Sequence, residues 1–149
     1  MIKIAIFIQP QKKIKEKILV LKKKVKKNFG KQPYLYHPPH STLFTMIVSK
    51  QIFKEKKYLR KLTIGSNHKN NLTIQKTDIF KKDPITGGKT IYFKIKKTPF
   101  LQMLQLILLK KFSKFRSKKH RKKFKFYWMT QNYIKYGYPF VDKKWKPHF

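Results

Sequence analysis

The chain has 149 residues, 40% of them hydrophobic and 15% aromatic, with 39 Lys or Arg against 5 Asp or Glu for a formal charge of +34. That length suits one domain, and so much apolar and aromatic material excludes a disordered basic tail, which lacks the burial to offset chain entropy. The absence of cysteine excludes disulfides, a thiolate nucleophile and Cys-based zinc or iron–sulfur sites.

In chain order, Lys3 to Gln9 reads as a strand with Ile4, Ile6 and Ile8 on one face and Ala5 and Phe7 on the other. Apolar character on both faces predicts a central strand. Gln11 to Lys27 is an amphipathic helix whose stripe is Ile14, Ile18, Leu21 and Val25, ended near Asn28 to Gly30 by a residue suited to a left-handed cap. The Pro- and Tyr-rich loop Lys31 to Pro39 leads into a β-branched and aromatic run, His40 to Val48, which reads as a core strand. Ile52 to Leu62 reads as a short helix and Asn67 to Asn71 as a polar loop.

Leu72 to Phe80 and Thr90 to Lys96 read as a hairpin around the turn-rich Lys81 to Lys89, with Ile91, Phe93 and Ile95 inward and Tyr92, Lys94 and Lys96 outward. Thr98-Pro99 opens the strongest helix, Phe100 to Phe115, with Leu101, Leu104, Leu108, Phe112 and Phe115 as its core stripe. Lys110 to Lys125 is a basic run. The aromatic tail, Phe126 to Phe149, reads as ordered loop with a strand or short helix. The opening MIKIAIFIQP is broken by Pro10 and lacks a small-residue cleavage site, and no stretch reaches the length of a membrane span, so the reading expects a soluble cytoplasmic protein with no membrane partner.

Two halves share a plan. Strand, long helix and loop arrive at Pro39-His40, and later strand, long helix and loop arrive at Pro147-His148. The expected architecture is an α+β domain over residues 1–149, built as two pseudo-symmetric lobes of antiparallel-rich sheet backed by helices, each giving one histidine to a central cleft.

Pro39-His40-Ser41-Thr42-Leu43 resembles the His-x-Thr-hydrophobic motif of the two-histidine (2H) phosphoesterase superfamily, which includes RNA 2′,3′-cyclic phosphodiesterases and 2′-5′ RNA ligase-like proteins. Gly137-Tyr138-Pro139-Phe140 followed by Trp145-Lys146-Pro147-His148-Phe149 is similar to the approach to that family's second motif. The second motif would continue with Thr or Ser and an apolar strand, so the reading expects the sequence to be the truncated form of a longer one.

The residue types make chemical sense. Strand alternation projects His40 and Thr42 to one face and Ser41 to the other. An imidazole takes or gives a proton near neutral pH, and a hydroxyl two residues along can bond a non-bridging phosphate oxygen. The resemblance implies a metal-independent phosphodiesterase acting on RNA termini with a 2′,3′-cyclic phosphate or on small cyclic nucleotides, with 2′-5′ ligation as a related activity. His40 and His148 would be its acid/base pair and Thr42 its phosphate ligand. Neither metal nor other cofactor is expected, and the protein is expected to be a monomer.

Other features read differently. His37 and His40 lack the helix and carboxylates that would make a metal pair. His68 and His120 read as solvated. Gly87-Gly88-Lys89-Thr90 imitates a phosphate-binding loop, but Asp83 stands where the first glycine is required and a strand follows, so it reads as a hairpin turn. The charge favours an anionic partner without identifying it, because an A/T-rich coding sequence also yields Lys, Ile, Phe, Tyr and Asn. Two alternatives follow: a non-enzymatic RNA-binding or ribosome-associated protein, with Arg116 and Arg121 beside aromatics as an RNA track, or an inactive family member that retains a phosphate pocket.

Overall fold

The computed structural model describes residues 1–55, 72–83, 87–117 and 124–149. The fold is α+β. Its elements are β1 (Ile2–Ile8), α1 (Lys12–Phe29), β2 (Ser41–Val48), a 3-10 helix (Lys50–Glu55), β3 (Ile74–Phe80), β4 (Thr90–Ile95), α2 (Pro99–Ser113), α3 (Tyr127–Tyr136) and a 3-10 turn (Asp142–Lys144). β1 pairs with β2, and β3 pairs with β4 as the expected antiparallel hairpin. Most of the helix expected over Ile52 to Leu62, the loop Asn67 to Asn71, His68, His120 and Arg121 lie outside the described residues. Among the described residues no helix is long and apolar enough to cross a membrane.

Two compact units cut across the two halves of the sequence. The first takes Met1–Ile6 with the described parts of 43–71 and 97–146; the second takes Phe7–Thr42, the described parts of 72–96, and Pro147–Phe149. Strand β1 is not the central strand its sequence promised. Its even-numbered isoleucines are half-buried while Lys3, Ala5 and Phe7 are exposed, and β2 is its sole strand neighbour among the described residues.

In the first unit, β2 buries Leu43, Phe44, Met46 and Val48, so this is the strand that is apolar on both faces. Helix α2 starts where Thr98 Oγ1 accepts the Leu101 N–H at 3.2 Å, with Pro99 in the first turn, where its missing N–H costs nothing. All five expected stripe residues, Leu101, Leu104, Leu108, Phe112 and Phe115, are buried. The helix itself stops at Ser113, whose hydroxyl donates to the Lys110 carbonyl at 2.7 Å, and Phe115 reaches the core from the turn that follows.

Buried Gln105 interrupts this apolar face for a reason: Nε2 donates to the Leu43 and Phe140 carbonyls at 2.7 and 3.0 Å, and Oε1 accepts the Asp142 N–H at 3.3 Å. Helix α3 falls in the tail that the sequence reads as ordered loop with a strand or short helix. It ends at Gly137, φ +75°, where a Cβ would stand 2.6 Å from Arg116 Cδ. The Arg116 guanidinium donates to the carbonyls of Tyr133 and Ile134 in that last turn.

In the second unit, α1 buries Ile18 and half-buries Ile14 and Val25 as expected, but Leu21 is 44% exposed and Lys22 takes its place on the inner face. The helix ends at Gly30, φ +67°, whose N–H bonds the Lys26 carbonyl at 2.9 Å. In the hairpin, Tyr92 is buried and Ile91 is 66% exposed, the reverse of the expected facing. Phe80 stacks on Tyr92 at 4.0 Å between centroids, and this packing turns the aromatic face inward, leaving the Ile79–Ile91 pair outside. Ile95, on the same face of β4 as Ile91, is buried as expected at the far end of the strand, opposite Ile74, where a bulge between Ile74 and Lys76 interrupts β3. Asp83 and Gly87 share a turn bond at 2.8 Å, with Gly87 at φ +73°, so the glycine pair belongs to the hairpin turn.

Candidate functional site

Both Pro-His segments fall within the second unit. The expected division, one histidine from each half facing the other, is therefore not how the compact units are composed: α1, the His40 segment, the β3–β4 hairpin and the His148 segment share one unit.

His40 immediately precedes β2 and is half-buried behind buried Pro39. Its Nδ1 lies 2.7 Å from the Pro38 carbonyl oxygen. A carbonyl only accepts, so Nδ1 carries the proton, and the neutral ring has its lone pair on Nε2. The exposed Phe7 ring packs against the imidazole with centroids 4.7 Å apart. Thr42 follows two residues along, half-buried, while Ser41 between them is 1% exposed; the burial keeps the alternation that sets His40 and Thr42 apart from Ser41.

The tail Pro147–Phe149 adds to the side of β4 away from β3. Phe93 N–H donates to the Phe149 carbonyl at 2.8 Å, Phe149 N–H to the Phe93 carbonyl at 3.0 Å and Ile95 N–H to the Pro147 carbonyl at 3.0 Å, which makes Lys94 and His148 a non-hydrogen-bonded antiparallel pair. In such a pair the side chains stand closest and the backbone N–H points away from the partner strand. The His148 N–H points to Ser41, whose Oγ accepts it at 3.2 Å. One serine hydroxyl thus ties the two Pro-His segments together across 107 positions of sequence.

Cross-strand pairing fixes what surrounds His148. Lys76 pairs with Lys94 and Lys94 with His148, so the three share one sheet face, and Asp78 and Tyr92 form the next pair on that face. The Phe80 and Tyr92 rings meet the imidazole edge-on, at 5.1 and 5.2 Å between centroids. Tyr92 Oη donates to Asp78 Oδ2 at 3.2 Å. Burial, then the bond to Asp78, raises the Tyr92 phenol above its ordinary pKa. The Ile79 N–H at 2.8 Å holds the Asp78 carboxyl below the usual carboxylate range; desolvation opposes it, and the Tyr92 hydroxyl and the charges of Lys76 and Lys94 add smaller contributions in the same downward direction. The arrangement offers imidazoles for proton transfer, hydroxyls for hydrogen bonding and paired ammonium groups for an anion.

Sequence reasoning names His40, Thr42 and His148 but misses Ser41, Lys94 and Phe7. The strand alternation already puts Lys94 and Tyr92 on one face; what it lacks is the tail strand that makes this face a neighbour of His148. His37 is exposed, with its ring edge-on to Tyr34 at 5.9 Å. Compared with protein-family models, with curated proteins and with solved structures, the chain matches none.

Proposed function

We propose that the chain is a 2H-type phosphoesterase: a metal-independent phosphodiesterase that opens 2′,3′-cyclic phosphates at RNA termini or in small cyclic nucleotides, with 2′-5′ ligation as a related activity. The observation that carries this reading is the Ser41 bond to the His148 N–H, which joins a His-x-Thr segment to the second Pro-His segment. One imidazole takes a proton from water or a ribose hydroxyl while the other gives a proton to the leaving oxygen. For His40 the proton passes through Nε2, since Nδ1 is engaged with Pro38. Thr42 bonds a non-bridging oxygen, and Lys94 beside His148 stabilises charge growing on the equatorial oxygens.

The test is hydrolysis of a 2′,3′-cyclic mononucleotide in excess chelator. Turnover is expected for the native chain, a fall of about 10²–10⁴-fold in His40→Ala, and a smaller loss in Thr42→Ala. Turnover unchanged in His40→Ala removes the mechanism.

A non-enzymatic RNA-binding reading has one observation in its favour. Phe126 and Tyr127 are 52% and 78% exposed, and Lys125 Nζ lies 5.8 Å from the Phe126 ring centroid. It predicts salt-sensitive RNA binding indifferent to substitution at His40, and no hydrolysis.

A further inference from the structure

Lys22 occupies the position on the inner face of α1 where the helical period asks for an apolar side chain. We propose that Lys22 is a positioning residue for His40: its ammonium clamps the loop whose Pro38 carbonyl fixes the His40 tautomer. The proposal rests on His40 being an acid/base residue. Lys22 Nζ donates to the Tyr34 carbonyl at 2.7 Å and to the His37 carbonyl at 2.5 Å, twelve and fifteen positions away. One cation thereby holds two points of the loop that delivers His40.

The loop has reason to be held. Tyr34 has φ +65°, a left-handed conformation that costs a non-glycine residue free energy unless its surroundings enforce it. Its hydroxyl donates to Asp83 Oδ1 at 3.3 Å, and Asp83 is buried and bonded into the β3–β4 turn: its N–H donates to the Gly88 carbonyl and its own carbonyl accepts the Gly87 N–H. Tyr34 is therefore pinned at its backbone by α1 and at its side chain by the hairpin. Between the second clamped carbonyl, at His37, and His40 stand only Pro38 and Pro39. Each proline ring locks its own φ, and each restricts the residue before it. Such a stretch has little slack, so the hold on the His37 carbonyl is transmitted to the Pro38 carbonyl that receives the His40 Nδ1–H at 2.7 Å.

A loop clamp with no bearing on the site would leave the imidazole unchanged, and the test reads the imidazole directly. In the full chain carrying ¹⁵N-histidine, long-range ¹H–¹⁵N correlation reports which ring nitrogen of His40 is protonated. The native chain is expected in the Nδ1–H form. Lys22→Met keeps the aliphatic stem and removes the ammonium. It should populate both tautomers and lower kcat on a 2′,3′-cyclic mononucleotide by about 10–100-fold with KM within about twofold, and Lys22→Arg should restore both readouts. A folded Lys22→Met chain with the native tautomer and native kcat overturns the proposal. Should Lys22→Met fail to fold, as judged by circular dichroism, Lys22→Gln shortens the donor and removes its charge; a mixed tautomer with lowered kcat then supports the clamp, and a folded Lys22→Gln chain with both readouts native overturns it. If the native chain turns over no cyclic nucleotide, the proposed activity fails while the tautomer comparison still decides the clamp.

Discussion

At the scale of single residues, the site turns on small groups with definite partners. His40 and Thr42 are legible because a motif and strand alternation are both written in the chain. Ser41 and Lys94 are not, because each acts through a residue remote in sequence: Ser41 through the His148 N–H, Lys94 through a pairing with the tail. Lys94 also illustrates why +34 says little by itself, since one cation beside an imidazole matters more to a phosphate than many on a solvated surface. Lys94→Gln removes the charge that would assist a hydrogen bond to phosphate, and should lower kcat/KM for a cyclic phosphate by about tenfold. Lys89→Gln in the exposed turn should leave it within about twofold. Steady-state kinetics on the two variants checks this, and equal losses would reduce Lys94 to general electrostatics.

At the scale of elements, periodicity finds α1, α2 and the hairpin, leaves α3 in an aromatic tail read as loop with a strand or short helix, and misjudges faces where a polar group has a specific partner. Lys22 displaces Leu21 on α1 because its ammonium caps two carbonyls, a gain no hydropathy pattern records. Tyr92 displaces Ile91 on β4 because its ring stacks on Phe80 and its hydroxyl reaches Asp78. On α2 the apolar stripe is legible in full, but nothing in the pattern marks Gln105 as buried beside it. Gln105→Leu keeps the volume but strips partners from the Leu43 and Phe140 carbonyls and the Asp142 N–H. A buried polar group left without a partner costs about 1–3 kcal/mol, so denaturant unfolding should show a loss of about 2 kcal/mol or more. A neutral result would mean that these groups find other partners.

At the scale of the whole molecule, the plan of strand, helix, loop and Pro-His is present twice in sequence, yet the compact units are not those two halves. The second unit combines α1 from the first half with the hairpin and the tail. No pattern along the chain encodes that exchange, since it depends on which strands pair. Global stability carries its own pH signature through Tyr138, whose phenol burial pushes up to about 12. The unfolded phenol ionises near its ordinary value of about 10, so the stabilisation is complete below that pH and is lost as pH rises through the folded value. Between those limits the native chain should lose about 2–3 kcal/mol relative to Tyr138→Phe, read as the difference between their unfolding free energies at each pH. Parallel curves would show that the phenol is not held neutral.

Whether two imidazoles act together on one phosphodiester, as proposed, is decided by a mutant cycle. Groups that act as a unit are non-additive, so His40→Ala, His148→Ala and the double variant should all fall to about the same residual kcat on a 2′,3′-cyclic nucleotide in chelator. Native-like turnover in either single variant, or a double variant slower by the product of the two single effects, would contradict the proposal.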